Sequence, residues 1–66
     1  MLLKKIGHNI RELRKKAGLS QIDFAVAVGI DRSYLSEIEN GKRNLTVMLL
    51  QNIATILSVK IEDLLA

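Results

Sequence analysis

Three residues, Gly29-Ile30-Asp31, separate two stretches that each read as a short helix. No other feature restricts the fold as tightly. So short a connection leaves no slack, so the helices it joins cross steeply and their backbones meet near the turn. The first stretch runs from about Gln21 to Val28. Ser20 stands before it as an N-cap, and Asp23 three residues on supplies an acidic first turn akin to a capping box. Phe24, Ala25 and Val28 point inward, and the small side chain of Ala25 permits close approach. Gly29 allows the positive φ with which the chain leaves the helix. Asp31 is the N-cap of the second stretch, about Arg32 to Asn40, which turns Leu35 and Ile38 inward and ends at Asn40-Gly41.

The flanking segments are helical too. Leu3, Ile6, Ile10, Leu13 and Ala17 recur in steps of three and four and mark one face of a first helix. Lys15 and Lys16 suit its last turn, and Gly18 ends it. Beyond the polar loop Lys42-Arg43-Asn44, Thr46 caps a fourth helix, about Val47 to Leu57. Its inward set is Val47, Leu50, Ile53, Ala54 and Leu57. A last short helix, Ile61 to Leu65, closes the core with Leu64. No stretch alternates with period two, so no strand is predicted. The expectation is an all-α fold of five helices forming one domain over residues 1–66.

A chain of 66 residues without cysteine has neither a disulfide nor a thiolate zinc site, and its single histidine, His8, reads as a surface residue rather than a metal ligand. No metal or cofactor is expected. A domain this small buries only about 60% of its unfolded surface. Of the usual reinforcements, oligomerisation remains, or an efficient all-helical core takes their place. The fourth helix is apolar beyond its inward stripe, at Met48, Leu49 and Ile56, with Ile61 and Leu65 nearby. Together with Asn52 these residues predict a homodimer built on helices four and five, since a monomer avoids such an exposed patch. The alternative is that they complete the core or pack under Met1-Leu2.

The net charge of +3 is unevenly spread. Residues 1–33 carry seven basic and three acidic side chains; residues 34–66 carry three and four. The imbalance points to an anionic partner. Charges at Lys4, Lys5 and Arg11 exclude a signal-peptide core or membrane span in the first helix, and polar residues interrupt the uncharged stretch from Asn44 to Val59. A cytoplasmic protein is expected. An enzyme is not, for want of a phosphate loop or a Ser/His/Asp arrangement.

Helices two and three form a helix-turn-helix. In Ser20-Gln21, Phe24-Ala25, Gly29 and the run Ser33-Tyr34-Leu35-Ser36-Glu37-Ile38-Glu39-Asn40-Gly41-Lys42-Arg43 the chain resembles the phage-repressor/Cro type, also called xenobiotic-response-element-like. Ile53-Ala54 to Leu57, Val59 and Leu64-Leu65 fit that family's fourth and fifth helices, so the likeness covers about residues 4–65. Within it, the run from Arg32 and the Asn44-Leu45 connection look most like restriction–modification controller proteins. The resemblance implies a lambda-repressor-like five-helix domain that binds double-stranded DNA in the major groove and controls transcription, for instance as a repressor. No small-molecule effector is evident. A protein-interaction module such as an antitoxin or adaptor is the competing class.

A recognition helix reads bases with its outward, N-terminal residues. Leu35 and Ile38 face in, so Arg32, Ser33, Ser36 and Glu37 face out. Arg32 suits guanine or, failing that, a phosphate; Glu37 either accepts from cytosine N4 or braces Arg32. Ser33 and Ser36 either contact bases or fill a wet face. Gln21, at a helix N-terminus, suits a phosphate, as the matching family glutamine does. Asn40, Lys42 and Arg43 are expected to clamp the DNA backbone, with a helix C-cap as the alternative for Asn40. Tyr34 either donates to a phosphate or covers a neighbouring helix. The resemblance also implies that Arg14 and Glu39 form a structural ion pair between helices one and three.

Overall fold

A computed structural model describes residues 2–66. The five helices are α1 (Leu2–Lys16), α2 (Gln21–Val28), α3 (Arg32–Glu39), α4 (Val47–Leu57) and α5 (Ile61–Leu65), and no strand occurs among the described residues. Local chemistry sets the boundaries. The hydroxyl of Ser20 accepts from the amide of Asp23 at 3.0 Å, the carboxylate of Asp31 from Tyr34 at 2.7 Å, and the hydroxyl of Thr46 from Leu49 at 3.0 Å. Each satisfies an amide that the helix itself leaves free. Gly29 ends α2 at φ 86, and its amide bonds back to the carbonyls of Ala25 and Val26. α3 stops one residue earlier than its pattern implied, with Asn40 as the C-cap.

α1 packs against α3, α4 and α5, α2 against α3 and α4, and α4 against α5. The core they enclose is Ile6, Ile10, Phe24, Ala25, Val28, Leu35, Ile38, Ile53, Ala54 and Leu64. Burial of each large side chain contributes about 1.5–3 kcal/mol. Two side-chain amides tie the ends of the bundle together. Asn9 Nδ2 donates to the Leu64 carbonyl at 3.0 Å, and Asn52 Nδ2 to the Val28 carbonyl at 3.1 Å.

Several expectations need correction. Val47 was expected inward but is 74% exposed. It lies in the first turn of α4, which overhangs the core, and the inward stripe begins at Leu50. Ala17 is exposed because α1 ends at Lys16 and the chain turns away. In the expected dimer patch, Leu49, Ile56 and Ile61 are half-buried against the core, and Asn52 is engaged with α2. Met48, at 84% exposure, and Leu65 remain open. Packing against Met1 lies outside the described residues.

Gly7 has a role that periodicity did not disclose. It is buried where α1 meets the end of α3, and an added Cβ would collide with the carbonyl oxygens of Ile38 and Glu39. Those atoms are backbone and cannot swing aside. Gly7→Ala, which in an open helix would stabilise by about 1 kcal/mol, is expected here to destabilise by about 1–3 kcal/mol. Urea denaturation of the two proteins measures the sign.

Candidate nucleic-acid interface

The site is organised from beneath by one buried ion pair. Arg14 Nε donates to Glu39 Oε2 at 2.7 Å and Nη2 to Oε1 at 3.1 Å. The side chains are 9% and 2% exposed. The remaining polar atoms are also met: Arg14 Nη1 donates to the Leu19 carbonyl at 2.8 Å, and Gln21 Nε2 to Glu39 Oε1 at 3.0 Å. The fork of Arg14 thus joins α1, the turn before α2 and the end of α3. Gln21 carries the connection to the N-terminus of α2.

This orients the outer face of α3. Arg32, Ser33, Ser36 and Glu37 line a single surface hollow. The spacing places them there because Leu35 and Ile38, both buried, hold the opposite face of the helix down. Glu37 does not meet Arg32 in an ion pair, as its bracing alternative had it. It accepts from Arg43 Nη1 at 2.7 Å. The guanidinium of Arg43 lies 4.5 Å from the centroid of the Tyr34 ring, so the loop after α3 folds back on that helix. Lys42 is exposed in the same loop. Asn40 Nδ2 donates to the Ser36 carbonyl at 2.9 Å, the capping role held open for it.

A second hollow, lined by Arg11, Arg14, Gln21, Glu39 and Asn40, adjoins the N-terminus of α2. Arg11 is exposed there and is not among the contact residues expected from the sequence. The available signal was its position three residues before Arg14, which places both on one side of α1. The side-chain amide nitrogen of Gln21 is turned inward to Glu39, and the cation of Arg11 lines the same hollow beside the first-turn N–H groups of α2.

A family model described as helix-turn-helix matches residues 10–64. The chain belongs to this helix-turn-helix family. It is 41% identical over 61 residues to the control protein C.MunI of a Mycoplasma species, covering 91% of this chain and 82% of that protein. The crystal structure of the restriction-modification controller protein C.AhdI from Aeromonas hydrophila is similar at TM-score 0.88 and 40% identity, covering 94% of each chain. The structure of SinR, the master regulator for biofilm formation, in complex with DNA is similar at TM-score 0.84 and 35% identity, covering 92% of this chain and 98% of that one. In this family member the helix pair is α2 and α3, and the hollow lined by Arg32, Ser33, Ser36 and Glu37 lies on its second helix.

Removing one partner of a buried pair strands the other charge. Arg14→Ala is expected to destabilise by about 3–5 kcal/mol. The double change Arg14→Met with Glu39→Leu is expected to recover most of that loss, because no unpaired charge is left inside. Thermal denaturation of the three proteins checks the order; equal losses for the single and double variants would contradict it.

Proposed function

We propose that this chain is a sequence-specific DNA-binding transcriptional regulator of the controller-protein kind. It lays α3 in the major groove of double-stranded DNA. The observation that carries this reading is the hollow on α3 in which Arg32, Ser33, Ser36 and Glu37 come together. It is flanked by the loop cations Lys42 and Arg43, and the N-terminus of α2 follows in the adjoining hollow. Hydrogen-bonding side chains on the outward face of a recognition helix suit base edges, and the surrounding cations suit phosphates. In this reading Arg32, Ser33, Ser36 and Glu37 face bases. Tyr34, Asn40, Lys42, Arg43 and the N-terminus of α2 at Gln21 face the backbone, with Arg11 added. The relatives named as controller and regulatory proteins support it. Regulation by binding, without catalysis and in the cytoplasm, is part of the same proposal. Among the described residues no helix is long and apolar enough to cross a membrane.

Affinity for a duplex selected from a random library should fall steeply with salt, by about 0.9 in log–log slope per phosphate neutralised. Arg32→Ala is expected to relax preference at one base-pair position, with a loss of about 1–3 kcal/mol on the selected site. Lys42→Ala is expected to weaken selected and scrambled duplexes by the same factor. If neither substitution changes duplex binding, the assignment of this face fails, and a protein partner becomes the better reading.

The domain is proposed to act as a twofold dimer on paired half-sites, joined along α4 and α5. The open part of that surface is Val47, Met48 and Leu65, bordered by the half-buried Leu49, Ile56 and Ile61. Analytical ultracentrifugation at micromolar concentration should show a dimer that Met48→Lys weakens. A clean monomer with and without DNA would remove the dimer from the proposal.

A further inference from the structure

The outer face of α3 carries a carboxylate, Glu37, where the DNA-binding reading brings phosphates close. That carboxylate is already engaged. Arg43 Nη1 donates to it at 2.7 Å, and the two side chains are 47% (Glu37) and 52% (Arg43) exposed. Exposed pairs of this kind shift an equilibrium by about fivefold at most. The pair is therefore easily exchanged for other partners. The position of Arg43 does not depend on the pair alone. Its guanidinium lies over the Tyr34 ring at 4.5 Å, and the Lys42 amide donates to the Glu37 carbonyl at 2.9 Å, which pins the loop to the end of α3. Arg43 thus keeps its place when its carboxylate partner changes.

Resting on that reading, we infer that Glu37 and Arg43 form a specificity gate whose two groups exchange partners on the cognate site. In the free protein and on non-cognate duplex each neutralises the other, so the loop offers one cation fewer to the phosphates. Where a cytosine presents its N4 amine, Glu37 accepts from it. Arg43, its guanidinium still over Tyr34, then offers the released Nη1 N–H to a phosphate. The carboxylate lowers affinity everywhere except at the site that supplies it with a donor. Specificity gained in this way comes from weakening the wrong complexes as well as from strengthening the right one.

Binding of the wild-type protein, Glu37→Gln and Arg43→Ala to a selected and a scrambled duplex, followed by fluorescence anisotropy across a salt series, tests the exchange. The wild-type salt slope should be steeper on the selected duplex by about 0.9 per half-site. Glu37→Gln should abolish that difference by steepening the scrambled-duplex slope, and should lower the selected-to-scrambled affinity ratio by about tenfold. Arg43→Ala should abolish it from the other side, by making the selected-duplex slope shallower. Equal wild-type slopes on the two duplexes overturn the gate. So does a Gln variant whose scrambled-duplex slope is unchanged. Wild-type protein that binds no duplex at low salt removes the DNA-binding reading itself, a result distinct from equal slopes. Both side chains are half exposed, and circular dichroism verifies that the variants keep their helices.

Discussion

The bidentate pair between Arg14 and Glu39 is the interaction on which the arrangement of this domain depends. Taking two charges out of water is costly, and the cost is offset only where geometry is good and no buried polar atom is left without a partner. Here both conditions hold. Two parallel N–H bonds join the groups, and the Leu19 carbonyl and the Gln21 amide complete the set. What the pair contributes is position. An apolar substitute of the same volume would fill the space, yet it would leave Gln21 without an anchor and the turn before α2 without its link to Arg14. The N-terminus of α2 and the end of α3 then lose their common reference point.

Glu39 shares α3 with a second carboxylate, Glu37, and the two show how rotation about a helix divides labour. At about 100° per residue, positions two apart point to nearly opposite sides. Glu39 turns beneath the helix, is almost fully buried and locks the fold. Glu37 turns outward, stays half exposed and holds a loop arginine that a phosphate or solvent can claim instead. Near-identical chemistry is structural in one environment and adjustable in the other because water screens the second pair and not the first.

Much of the fold was legible in the chain. Ser20, Asp31 and Thr46 announce helix starts because an unpaired amide needs a local acceptor, and Gly29 announces a stop because few residues tolerate its backbone angle. The apolar steps of α1, α3 and α5 selected Ile6, Ile10, Leu35, Ile38 and Leu64, all of them buried. Periodicity misled at the edges. Val47 continues the stripe of α4 by spacing, but the core begins only a turn later along the helix, and spacing carries no information about where a neighbouring helix stops. Asn52, exposed on α4, also donates to the end of α2 across 24 positions of sequence, a contact that spacing does not disclose.

The sequence by itself determined the five helices, the N-caps of α2, α3 and α4, the tight turn between α2 and α3 and the outward set on α3. These follow from interactions within a few residues of one another, where residue type and spacing are the whole of the physics. Only the tertiary structure decided what lies between helices. The need for a bare backbone at Gly7, the closure of α2 by Asn52 and the place of Arg11 beside Gln21 are of this kind. The engagement of Glu37 with a stacked Arg43 also waited for the fold, because it depends on how the loop after α3 returns over the Tyr34 ring. Such contacts join surfaces whose distance is set by packing, and packing is settled by all the helices together.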